Sequence, residues 1–296
     1  MPIEIAPPAR RGETHVTADR RLAWSEWGPP QGAPVLLSPG AATGSSLGFA
    51  TDAFGRLDVR LIALDRPGLG RSDGSPGRSL LDFADDVRAL SEARALGAPA
   101  IVGYSQGAPF ALACAAAGVV SAAAIVSGTD ELAAPALRGA LPPELARLID
   151  QAEREPQAAE AFFRGMTPAM MREMILASSH PVDLAVYRDP AFAAAFDAAL
   201  EEGFVRGPDG YARDTLLAMR RWPFDPSAIR VPVHLWYGRL DGSPVHSPDL
   251  GEALARRIPG AARTVVEDAG GALLWTHGAA ILEALLTAAR PTRFAR

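Results

Sequence analysis

The chain has 296 residues, 48% hydrophobic and 21% charged, with a formal net charge of −5; this is enough to build a substantial core and excludes disordered, collagen-like and coiled-coil classes. A mildly acidic surface without basic blocks points away from nucleic acid or an anionic membrane as a partner. All 29 basic residues are Arg, neither Lys nor Asn occurs, and Cys114 stands alone, which excludes a Lys Schiff base, pyridoxal phosphate attachment, a Walker lysine, an N-glycosylation sequon, an intramolecular disulfide and a thiolate metal cluster.

Along the chain, Met1-Pro2-Ile3-Glu4 carries no basic segment followed by an apolar run. No signal peptide is therefore expected, and a cytoplasmic setting is. Residues 14–27 alternate around the polar turn Asp19-Arg20, the pattern of an antiparallel hairpin. Continuous apolar runs at 34–37, 59–64, 100–104, 122–126, 231–236 and 263–266 read as strands buried on both faces. Between them, Ser79-Leu80-Leu81-Asp82 opens a helix with Leu80, Phe83, Val87 and Leu90 on one stripe. Residues 106–117, 247–257 and 273–289 give further helices. Alternation of strand and helix predicts an α/β fold, with a mostly parallel sheet and helices on both faces.

That alternation stops near residue 130 and resumes at Val231. Residues 130–226 therefore read as a helical cap inserted into a core of 1–129 and 227–296. Met166, Met170, Met171 and Met174, with Phe162 and Phe163, lie in this stretch. They form either the small core by which it packs on the rest or an adaptable apolar lid over a pocket.

Gly103-Tyr104-Ser105-Gln106-Gly107 follows one apolar run and opens a helix of small residues. This G-x-S-x-G pattern is that of a nucleophile elbow, a sharp strand-to-helix turn that lifts a serine hydroxyl above the sheet. Glycines flank it because a Cβ there would collide with strand and helix. The Gln106 N–H, first in the helix, faces a developing oxyanion.

With these residues the chain resembles the α/β-hydrolase superfamily, in its cap-bearing esterase, peptidase and haloperoxidase-like branch, over about residues 14–290. Leu64-Asp65-Arg66-Pro67-Gly68-Leu69-Gly70-Arg71-Ser72 is similar to the family's D-x-x-G-x-G-x-S segment. Val233 to Pro244 is similar to its G-x-x-D segment. The resemblance implies the α/β-hydrolase fold, Ser105 as nucleophile and Asp241 as the acid of a Ser–Asp–His triad. Asp130, after the run ending at Val126, is a second candidate acid. Ser38-Pro39-Gly40-Ala41 replaces the usual His-Gly, which makes the Ala41 N–H the second oxyanion donor.

The chain departs from the family after the last strand, where a Gly-His pair supplies the base. Here Asp268-Ala269-Gly270-Gly271-Ala272 has no His, and Gly271 stands in its place. Among the five histidines, His246, five residues past Asp241 on the side where such sheets bind ligands, leads as replacement base. His180 in the insertion and His277 past Gly271 follow, His234 and His15 read as ordinary strand residues, and no histidine base at all is the remaining alternative. Two functions stay open: a serine hydrolase of small, largely apolar carboxylic esters, thioesters or lactones, needing no cofactor or metal, and a base-less scaffold serving as a ligand-binding protein or a lyase or cyclase.

Overall fold

The computed structural model describes residues 5–290; Met1 to Glu4, expected to carry no leader, lie outside them. The strands are β1 (Arg10–His15), β2 (Arg21–Trp27), β3 (Ala33–Ser38), β4 (Val59–Leu64), β5 (Ala100–Tyr104), β6 (Ala123–Val126), β7 (Val233–Gly238) and β8 (Ala262–Val266). Among the described residues they form one eight-stranded sheet in the order β1-β2-β4-β3-β5-β6-β7-β8. β1 and β2 are antiparallel to their neighbours, and β4-β3-β5-β6-β7-β8 run parallel. The expected α/β architecture is the one present.

The helices are α1 (Phe54–Leu57), α2 (Leu80–Ala93), α3 (Ala108–Ala116), α4 (Pro143–Arg154), α5 (Pro156–Phe163), α6 (Pro168–Ser178), α7 (Pro181–Tyr187), α8 (Pro190–Gly203), α9 (Asp209–Met219), α10 (Glu252–Arg257), α11 (Leu273–Thr276) and α12 (Gly278–Ala289). Ser79 opens α2 through a reciprocal capping box with Asp82. Successive strand residues point to opposite faces. Leu36, Ile62, Ile101 and Leu235 pack with α2 and α3 on one face, and Val35, Leu61, Val102 and Val126 with α12 on the other. From α4 to α9 the chain between β6 and β7 is helical, and its apolar face joins Ala42, Leu47, Leu69 and Ala272 in a third cluster. No helix among the described residues is long and apolar enough to cross a membrane.

Some boundaries differ from the sequence pattern. The hairpin begins at Arg10 instead of Thr14, because Arg10 pairs with Glu26 across the ladder while alternate β1 side chains face solvent. β7 runs two residues further than its apolar run, to Gly238. The helix expected over 247–257 forms only from Glu252, since the preceding residues turn and Gly251 sits at φ +78°.

Candidate active site

Tyr104 ends β5 in extended geometry, and Ser105 then takes φ +49° before α3 begins. A left-handed angle is strained for serine, and the packing around it keeps it so. A Cβ on Gly107 would stand 2.0 Å from the Ser38 carbonyl oxygen, so only glycine lets α3 pack against β3 at this turn. Ser105 is left half-buried at the floor of a cavity of about 110 Å³.

The loop after β7 supplies the partners. Asp241 Oδ1 accepts the Ser243 N–H at 3.0 Å, and the Ser247 N–H reaches the Gly128 carbonyl at 3.0 Å. Between these two anchors the chain doubles back and points His246 at Ser105. His246 Nε2 lies 2.7 Å from Ser105 Oγ, and His246 Nδ1 lies 2.7 Å from Asp241 Oδ2. The side chains of His246 and Asp241 are 9% and 3% exposed, so water screens the pair little.

The structure thus brings Ser105, His246 and Asp241 into one hydrogen-bonded chain. Ala41 and Gly40 line the same cavity, and no described acceptor takes the Ala41 N–H. Gln106 opens the helical turn beyond Ser105. The other candidates lie elsewhere. Asp130 accepts from the Glu131 N–H and Ser247 Oγ, and burial raises its pKa to about 6. His234 bonds Thr264 Oγ1 on the sheet, and burial lowers its pKa. His180 caps α7, His277 meets Thr276, and His15 is exposed on β1.

Gly271 faces the same carboxylate from the opposite loop. A Cβ there would stand 2.9 Å from Asp241 Oδ1. The loop is held without a side chain of its own: Asp183 on α7 accepts the Gly271 and Ala272 N–H groups at 2.9 Å each, and Tyr104 donates to the Gly271 carbonyl at 3.0 Å. Burial raises the Asp183 pKa against those two hydrogen bonds, and lifts those of Tyr104 and Tyr187.

Leu47, Met171, Met174, Ile175, Phe196 and Leu274 make much of the cavity wall. The methionine cluster is divided in its roles. Met171 is fully buried, Met174 lines the cavity while half exposed, and Phe162 and Met170 face solvent. Trp275 also lines the cavity, edge-on to Tyr104 at 4.8 Å.

A model of the α/β hydrolase fold matches residues 33–278. The chain belongs to the α/β-hydrolase fold family. Similar solved structures of this family include bromoperoxidase from Bacillus anthracis, 18% identical with a TM-score of 0.68 over 94% of this chain and 99% of that one. The enol-lactonase from Burkholderia xenovorans LB400 is 18% identical, with a TM-score of 0.66 over 93% and 98%. The esterase RhEst1 from Rhodococcus sp. ECU1013 is 19% identical, with a TM-score of 0.64 over 94% and 97%. At such identities the likeness speaks for the fold alone, so residue roles rest on this chain's own geometry.

Two features of this hydrolase-fold site escape the sequence pattern. Asp183 lies in a helical stretch with no motif around it. Arg66, inside the recognised Asp65-to-Ser72 segment, donates to the carbonyls of the cavity-lining Pro39 and Gly40, and nothing local marks it from its neighbours.

Proposed function

We propose that the protein is a serine hydrolase acting on small, largely apolar carboxylic esters, thioesters or lactones, with Ser105 as nucleophile, His246 as base and Asp241 as its orienting acid. The observation that carries this reading is the unbroken Ser105–His246–Asp241 chain, with both contacts at 2.7 Å. Ser105 Oγ attacks the carbonyl carbon while His246 Nε2 takes its proton. Asp241 Oδ2 accepts from His246 Nδ1, which fixes the tautomer and stabilises the imidazolium that forms. The N–H groups of Gln106 and Ala41 receive the oxyanion. Collapse breaks the bond to the alcohol, and His246 returns the proton to the leaving oxygen or sulfur. Water, activated by the same imidazole, then releases the acid from the acyl-serine.

The helices from α4 to α9 serve as the cap, excluding water and setting specificity. A cavity of about 110 Å³, smaller than the ~150 Å³ that accepts benzene in an engineered apolar core, favours short acyl groups. The reading of a base-less scaffold rested on Gly271; an imidazole within hydrogen-bond reach of Ser105 weighs against it. Turnover of p-nitrophenyl esters with acyl chains of two to twelve carbons tests the proposal. The expected result is saturable hydrolysis, fastest for the short chains and abolished in Ser105→Ala. No turnover of any ester, thioester or lactone above that variant would refute it.

A further inference from the structure

The fully buried Arg66 and Asp214 hold each other, with Arg66 Nε 2.6 Å from Asp214 Oδ2. Arg78 takes the other oxygen of the same carboxylate. The remaining guanidinium nitrogens of Arg66 turn toward the loop after β3. Nη1 donates to the Pro39 carbonyl at 2.5 Å and Nη2 to the Gly40 carbonyl at 3.0 Å. In a planar trans peptide, the carbonyl and the next N–H point in opposite directions. Fixing the Gly40 carbonyl on Arg66 therefore fixes the Ala41 N–H pointing away from Arg66, and Ala41 lines the cavity of Ser105.

The residue after Asp214 touches the other oxyanion donor. Thr215 Oγ1 accepts from Gln106 Nε2 at 3.0 Å, and both side chains are buried. Two adjacent residues of α9 thus brace two segments that are far apart in sequence. A core packed only for stability needs apolar contacts there, whereas the buried Arg66 spends Nε, Nη1 and Nη2 on Asp214 and the two loop carbonyls.

We infer that α9 sets the oxyanion hole: Asp214 through Arg66, which aims the Ala41 N–H, and Thr215 through the Gln106 side chain, which holds the residue bearing the other N–H. These are positioning residues, since none of them meets the reacting atoms. The inference rests on the serine-hydrolase reading, and it makes the cap-forming segment part of the catalytic geometry as well as a wall of the pocket.

Thr215→Val keeps the shape and removes the acceptor, while Thr215→Ser keeps the hydroxyl. Arg66→Lys keeps the charge and gives up the two-carbonyl grip. Loss of a whole oxyanion donor lowers kcat ~10²–10³-fold; a donor turned aside loses part of that. The expected result is a kcat lowered roughly 10-fold in Thr215→Val and roughly 100-fold in Arg66→Lys, with KM within about twofold. Inhibition by an alkylboronic acid, whose serine adduct places an oxygen in the hole, weakens in the same proportion. Thr215→Ser stays within about threefold of the parent protein. KM rising while kcat holds, or the Val and Ser variants falling together, would overturn the inference. A parent protein that turns over no ester would overturn the hydrolase reading and this inference together; an active parent matched by Thr215→Val would overturn this inference alone. If Arg66→Lys does not fold, the Thr215 pair decides.

Discussion

His246→Gln separates chemistry from packing. Among the described residues His246 is the one imidazole lining the cavity. Glutamine keeps a donor and an acceptor there, but its amide takes no proton near neutral pH. General-base assistance is worth ~10²–10⁴-fold, and loss of the base from a coupled serine triad ~10⁶-fold in kcat. Both bonds of His246 are 2.7 Å and the pair is at most 9% exposed, so solvent is a poor substitute. The expected loss in kcat is roughly 10⁴–10⁶, or about 5–8 kcal/mol at 1.36 kcal/mol per tenfold. Stability moves far less, by about 1 kcal/mol for one net hydrogen bond. Single-turnover release of p-nitrophenol from the acetate ester, beside urea unfolding, reads both quantities. A folded variant retaining more than a tenth of parental activity would refute the assignment and turn attention to Asp183, the other carboxylate lining the cavity among the described residues.

Three further predictions concern the same loops. Gly271→His, which places the family's usual base in its usual loop, lowers activity at least tenfold, because its Cβ would crowd Asp241 Oδ1 at 2.9 Å; a gain in kcat would contradict this. Ser105→Gly relieves the φ +49° strain and unfolds with about 1 kcal/mol more resistance to urea than Ser105→Ala; equal stabilities would count against strain at the elbow. Asp130, with its pKa raised to about 6 by burial, keeps its proton in the folded protein while the unfolded chain loses it near pH 4. Its contribution is therefore fully present below about pH 4 and lost by about pH 6, a loss of about 3 kcal/mol. Asp130→Asn, which still bonds Ser247, gains about 2–3 kcal/mol over the parent at pH 8 and little at pH 4, as read from urea midpoints at both. A difference independent of pH would sink that reasoning.

Much of the fold is legible in the sequence, because strands buried on both faces must be continuous apolar runs and cannot hide. The elbow is legible for a steric reason, since only glycine fits against Ser38. β1 is half invisible because its outward residues are polar and its partner is a ladder, not a core. His246 stands out only as one candidate among several. Its aim depends on two turns, pinned by Asp241 on Ser243 and by Ser247 on Gly128, which no local pattern encodes. Asp183, Asp214 and Thr215 are less visible still, for their partners lie 88, 148 and 109 residues away in the chain. Such contacts belong to tertiary packing, where a helix with ordinary periodicity carries polar groups to a distant loop.

The most direct test of the central claim is covalent labelling with a fluorophosphonate, read by intact mass and peptide mapping. One adduct per chain is expected, on the peptide containing Ser105, absent from Ser105→Ala and formed at least ~10³-fold more slowly in His246→Gln. No adduct, an adduct on another residue, or an undiminished rate in His246→Gln would contradict it.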